Sequence, residues 1–177
     1  MVKKMIERPR AVKFGGNELT VLGRQLEVGN QAPEFTVEAS DFSSVSLADS
    51  TGKVRLISVV PSLDTSVCDA QTRRFNQEAG NFGGGVVFLT ISAEHPLNQK
   101  RWCNFAEVDR VQVLSDHMDM NFGNAYGTHI KERRLEQRSI FVVDKNDMIR
   151  YVEYVRETGQ LPDIDKALEA AREAAGS

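Results

Sequence analysis

The alternation of apolar and polar residues divides the chain into segments of changing period. Residues 12–21, VKFGGNELTV, alternate on both sides of Gly15-Gly16-Asn17, which is the pattern of a β-hairpin with a flexible turn. The stretch LGRQLEVGNQAPEF reads as loop, since Pro33 biases Ala32 away from helix. Short strands are expected at residues 35–38 and 45–47. VRLISVV, residues 54–60, is almost continuously apolar and β-branched, as in a strand covered on both faces. After PSLDTS the period lengthens. Val67, Ala70, Phe75 and Ala79 recur at helical intervals over 66–79, with Asp69, Gln71, Arg73 and Arg74 at polar positions. Gly80 and Gly83-Gly84-Gly85 end that helix.

VVFLTIS, residues 86–92, is a second buried strand. Pro96 suits the first turn of a helix running to Ala106, with Leu97, Trp102 and Phe105 as packing residues and Cys103 near its end. A strand at 111–115 and a short helical piece at 122–126 follow. Segments 139–144 and 148–155 flank the turn Lys145-Asn146-Asp147, and Pro162 opens a final amphipathic helix carrying Ile164, Leu168 and Ala171. A β-rich beginning, a βαβα core, a hairpin and a terminal helix imply a three-layer α/β domain with a mixed sheet.

Composition narrows the function classes. With 177 residues, 41% of them hydrophobic, the chain can bury one sizeable core. The expected organisation is an N-terminal extension, residues 1–11, and a single domain over 12–177. A net charge of −3 gives no reason to expect nucleic acid or a membrane surface as partner. No apolar stretch is long enough to span a bilayer, and MVKKMIERPRAVKF is not followed by an apolar signal core, so a cytoplasmic location is expected. The two cysteines form no C-x-x-C pair and the three histidines have no zinc-like spacing, so no metal is expected. His95, His117 and His129 read as surface or locally hydrogen-bonded residues, and Met118 and Met120 as packing residues. GNFGGG lacks the lysine and hydroxyl residue of a phosphate loop and reads as a turn.

Cys68 sits where the chain passes from strand to helix. Thr65 or Asp64 can cap the first turn, leaving backbone N–H groups for an anion. The helix N-terminus and an added cation would favour thiolate over thiol. A thiolate attacking a peroxide needs access, a polarised O–O bond and donors for the departing oxygen. The resulting sulfenic acid can be resolved by a second thiol, and Cys103 is available. A cysteine beside Val67 reads by its placement more readily as a small buried core residue, and Cys103 beside Trp102 and Phe105 still more so. Placement alone leaves both readings open.

PSLDTSVCDAQTRRFN resembles the active-site segment of the thiol peroxidase branch of the peroxiredoxins. Its signature P-x-x-x-(T/S)-x-x-C is matched by Pro61, Thr65 and Cys68. The similarity extends through VKFGGNELTV, NQAPEFTV, KRWC, FGNAYG and RSIFVVD to the terminal helix. It implies a thioredoxin-like three-layer fold with a central mixed sheet and an N-terminal β-hairpin. It also implies an atypical two-cysteine peroxidase without cofactor, acting on hydrogen peroxide and organic hydroperoxides. By this resemblance Cys68 is the peroxidatic nucleophile and Cys103 the resolving cysteine of an intramolecular disulfide. Arg138 helps bind peroxide and activate the thiolate, and Thr65 and Pro61 complete the set. Thioredoxin as reductant and a homodimeric assembly are implied in the same way, as is a local rearrangement to bring the cysteines together. A redox sensor of the same fold would share both cysteines. Rapid turnover with thioredoxin distinguishes the enzyme from the sensor.

Overall fold

The computed structural model describes residues 4–176. In chain order its elements are β1 (Glu7–Phe14), β2 (Asn17–Leu22), β3 (Thr36–Glu38), β4 (Ser44–Ser46), a 3-10 turn (Leu47–Ser50), β5 (Val54–Val59) and α1 (Ser66–Ala79). They continue with β6 (Val86–Ser92), α2 (Pro96–Ala106), β7 (Gln112–Ser115), α3 (Asn121–Tyr126), β8 (His129–Ile130) and β9 (Leu135–Glu136). The chain ends with β10 (Ser139–Val143), β11 (Ile149–Tyr154) and α4 (Ile164–Gly176).

A seven-stranded sheet in the order β11-β10-β5-β6-β7-β3-β4 forms the centre. β5, β6 and β7 run parallel, and β10, β11, β3 and β4 pair antiparallel, so the sheet is mixed. With side chains alternating between two covered faces, β5 and β10 are buried throughout. Val54, Leu56, Ile140 and Val142 face a core with Phe75 of α1, Trp102 of α2 and Ala167, Leu168 and Ala171 of α4. Ile57, Val59, Phe141 and Val143 face the opposite core, with Phe122 and Tyr126 of α3 and Phe35. This is the three-layer thioredoxin-like α/β architecture expected from the sequence, with an N-terminal hairpin.

Three differences affect the site. β1 already begins at Glu7, where it pairs with Leu22, so the strand overlaps the expected extension at 7–11; residues 1–3 lie outside the described residues. The hairpin is also extended into a four-stranded sheet, β1-β2-β8-β9, by two strands that were not expected. These strands have two residues each and flank the charged tip Lys131–Arg134, too short for any alternation to register. Finally, Phe105 (82% exposed), Leu97 and Met118 are not packing residues. α2 buries Pro96, Gln99, Trp102 and Ala106, which turns Leu97 and Phe105 to the opposite face. Met120, by contrast, is buried.

The short β8–β9 hairpin is anchored by acid chemistry. Asp116 accepts hydrogen bonds from the N–H groups of Phe122 (2.9 Å) and Gly123 (2.8 Å). The fully buried Glu136 carboxyl lies against Gly123, leaving no room for a Cβ there, and its Oε2 accepts from the Thr128 hydroxyl. Burial first, then the neighbouring Asp116 carboxyl, push Glu136 well above the ordinary carboxylate range. A folded-state pKa above the unfolded one gives stability that is complete below the unfolded value and lost as pH rises towards the folded value. Glu136→Gln keeps the shape and removes the titration. Its midpoint of urea unfolding relative to wild type should therefore be higher at about pH 9 than at about pH 5. An equal difference at both pH values would refute the acid anchor.

Candidate active site

β5 delivers the chain to Pro61, and the loop through Ser62, Leu63 and Asp64 leads into α1 at Thr65. Thr65 occupies the N-cap position with extended backbone (φ −82°, ψ 149°), yet its hydroxyl does not cap the helix. It donates instead to the Ser62 carbonyl at 3.1 Å. This corrects the capping role expected for Thr65. The first helical bond runs from the Asp69 N–H to the Thr65 carbonyl (2.9 Å), so the amides of Ser66, Val67 and Cys68 precede the ladder at the positive end of the helix dipole.

Pro61, Thr65 and Arg138 wall one cavity of about 170 Å3, together with Ser62, Val67, Phe14 and Leu135. Phe14 comes from the tip of β1 and Leu135 from β9, so the second sheet closes the cavity with apolar side chains. Cys68 lies one residue beyond Val67, completely buried against the core that contains Val60, Leu63 and Phe75. Cys103 is half-buried at the edge of that same core. Its open side lines a different, larger cavity with Lys100, Asn104 and Val108. Both thiols are free. Burial, followed by the charge of Glu94, pushes the Cys103 thiol up to about 11.

Arg138 is only 2% exposed. Its Nε and Nη2 donate to the Thr158 carbonyl (3.2 and 2.7 Å), and Nη1 donates to Gln71 Oε1 (3.0 Å). A guanidinium has five N–H donors, so these bonds leave two uncommitted. All its protein partners are neutral, and among the described residues it forms no ion pair. Gln71 is in turn fixed by donation from Nε2 to the Ser58 hydroxyl of β5 (2.7 Å). Thr158 is tied to the N-terminal hairpin, its N–H and hydroxyl both donating to the Lys13 carbonyl at 3.0 Å.

Gln71 and Thr158 were missed by sequence reasoning. Gln71 follows Cys68 by three positions and shares its helix face, so a polar residue on a core-facing stripe was a usable signal. Thr158 acts through its backbone carbonyl, for which no side-chain pattern exists. The three histidines have local partners: His95 accepts from the Leu97 N–H, His117 pairs with Glu38, and His129 with Asn124. No helix among the described residues is long and apolar enough to cross a membrane.

Residues 27–168 match the Redoxin family. The chain is 55% identical over 164 residues to a thiol peroxidase of Halalkalibacterium halodurans, covering 93% of this chain and 98% of that protein. It is 51% identical over 161 residues to a thiol peroxidase of Bacillus subtilis, covering 91% and 96%. A peroxiredoxin-like protein from Aquifex aeolicus superposes with a TM-score of 0.86 at 31% identity, covering 97% of this chain and 99% of that one. A thiol peroxidase from Chromobacterium violaceum shares the fold at 19% identity, with a TM-score of 0.80 over 92% and 95% of the two chains. With a strand-to-helix cysteine beside a cavity walled by proline, threonine and a buried arginine, and relatives matching nearly end to end, the chain belongs to the thiol peroxidase branch of the peroxiredoxins, within the Redoxin family.

Proposed function

We propose that this protein is a thioredoxin-dependent peroxidase that reduces hydrogen peroxide and organic hydroperoxides through Cys68 and an intramolecular Cys68–Cys103 disulfide. The observation that carries this reading is the buried, unpaired guanidinium of Arg138, facing the cavity shared with Pro61 and Thr65. Buried charges are normally paired, and here the remaining donors are free for an anion. That anion is supplied by a thiolate or a peroxide oxygen. The amides of the first α1 turn add partial positive charge on the other side.

In the proposed cycle the Cys68 sulfur attacks one oxygen of ROOH. An S–O bond forms and the O–O bond breaks. The departing RO− takes a proton and leaves as alcohol, or as water when R is hydrogen, and Cys68 becomes a sulfenic acid. Arg138 and the first-turn amides stabilise the charge that moves onto the leaving oxygen, and Thr65 orients the peroxide. Cys103 then displaces the sulfenic hydroxyl, forming the disulfide and water. The thioredoxin dithiol reduces that bond and is itself oxidised. The apolar wall of Phe14, Val67 and Leu135 supports organic hydroperoxides as substrates alongside hydrogen peroxide. Since Cys103 opens into a separate cavity, resolution follows a local movement of the 61–68 segment or of α2. Homodimer formation is the expected assembly.

Thioredoxin-coupled peroxide consumption tests the cycle. Cys68→Ser and Cys103→Ser should both lose sustained turnover, and only Cys103→Ser should still form a sulfenic acid. Full turnover without Cys68 would reject the nucleophile; full turnover without Cys103 would assign recycling to another thiol. Single oxidation without turnover would favour the sensor reading.

Gln71 tests the positioning of Arg138. Gln71→Leu keeps the volume but removes the bond to a charged donor. The rate constant for Cys68 oxidation should fall by roughly tenfold to a hundredfold, the kinetic equivalent of one charge-assisted hydrogen bond. An unchanged rate constant, with the fold intact by circular dichroism, would show that Arg138 holds its place without Gln71.

A further inference from the structure

Glu94 occupies the connection between β6 and α2, and its side chain bonds to the loop that precedes α1. Its backbone is fixed to the sheet: the Ser115 hydroxyl of β7 donates to its carbonyl, and its N–H donates to the Ser92 hydroxyl. From this post the carboxylate reaches the loop before Cys68. Oε1 accepts the Leu63 N–H at 2.8 Å and the Ser92 hydroxyl at 3.0 Å, and Oε2 accepts from the Ser62 hydroxyl at 3.4 Å. The same Ser92 hydroxyl receives Gln99 Nε2 of α2 at 2.9 Å, which secures the first half of the helix bearing Cys103. Ser62 and Leu63 lie between Pro61 and Thr65, so the carboxylate holds the segment that shapes the peroxide cavity.

The space around Glu94 matches such a role. An open groove of about 510 Å3 lies between the loop and α2, lined by Asp64, Glu94, Asn98, Arg101, Trp102 and Phe105. Any approach of Cys68 to Cys103 must displace the loop, α2 or both around this point. Moving the loop away would break the Leu63 N–H bond to Glu94, and a carboxylate acceptor makes that bond stronger than one between neutral groups.

We propose that Glu94 is a positioning residue that latches the peroxidatic loop to the sheet beneath the resolving helix, so that its release precedes disulfide formation. This inference rests on the Cys68–Cys103 cycle proposed above. In the step it governs, the Cys103 sulfur forms an S–S bond to the sulfenic sulfur of Cys68 and the Cys68 S–O bond breaks. The hydroxide leaves with the Cys103 thiol proton as water. Cys103 is oxidised and the Cys68 sulfur is reduced by the same one-electron change. With the latch closed, Cys68 meets peroxide in a formed cavity while Cys103 stays on the far side. With it open, the loop can cross the groove. Burial, and after it the charge of Glu94, also disfavours the thiolate at Cys103 in the closed arrangement.

Rapid-quench measurement of sulfenic acid and disulfide, following the single tryptophan, Trp102, in parallel, separates the two steps. Glu94→Ala removes every contact of the carboxylate; Glu94→Gln nearly preserves its shape, retains one acceptor and keeps the variant series interpretable if the alanine form does not fold. Relative to wild type, disulfide formation should accelerate, by roughly tenfold in Glu94→Ala and less in Glu94→Gln, while Cys68 oxidation slows. The yield of Cys68 sulfinic acid at excess peroxide should fall, because the sulfenic acid is consumed sooner. A residue with only a structural role would slow both steps or neither. Unchanged or slower disulfide formation in both variants, with a normal disulfide in wild type, would overturn the latch alone. Absence of an intramolecular disulfide in wild type would overturn the cycle and the latch together.

Discussion

Arg138 is buried to 2% exposure, and the oxygens that hold it, Gln71 Oε1 and the Thr158 carbonyl, are neutral. A guanidinium stays charged at any physiological pH and is strongly disfavoured inside a protein without compensation. Its geometry therefore constrains much of the surrounding fold. Gln71 must be presented by α1 and braced on β5 through Ser58, and Thr158 must be fixed by the N-terminal hairpin through Lys13. The charge that these neutral partners leave unsatisfied is directed to the cavity. Catalysis in the proposed account is the use of that unsatisfied charge.

The two sheets divide the labour accordingly. The seven-stranded sheet supplies rigid ground: β5 leads into the Pro61–Thr65 loop, β10 begins beside Arg138, and β6 and β7 anchor Glu94. The smaller sheet brings Phe14 and Leu135 over the cavity, and in β9 the buried Glu136, accepting from the Thr128 hydroxyl, stands only two residues before Arg138. In the proposed cycle, peroxide reduction needs this order to be tight, whereas disulfide formation needs part of it to give way. Glu94 lies where those demands would meet, just before α2 and bonded to the loop that precedes α1.

Much of the fold was legible because the strongest signals are periodic. α1, β6 and α2 appear over the residues that the helical and strand patterns mark, and β5 and β10 are apolar on both faces because both faces are covered. The sequence pattern also marks Pro61, Thr65 and Cys68 as candidates, because those residues are close along the chain. What it could not reveal depends on long-range pairing or on backbone atoms. β8 and β9 are too short to carry a period, and they become strands only because β2 offers an edge. The Thr158 carbonyl has no side-chain signature. Phe105 has the composition of a core residue but falls on the outward face of α2, since Trp102 and Ala106 take the inward one. Thr65 has the identity of a helix cap, yet its hydroxyl turns back to Ser62.

The account turns on whether the two free thiols, Cys68 buried in the core and Cys103 half-buried at its edge, become partners after oxidation. The most direct measurement is peptide mapping by mass spectrometry of protein treated with one equivalent of hydroperoxide, acid-quenched and alkylated under denaturing conditions. The account predicts a Cys68 peptide linked to a Cys103 peptide of the same chain, with no alkylation at either residue. Cys103 recovered fully alkylated, with Cys68 as sulfinic acid or joined to another chain, would contradict it.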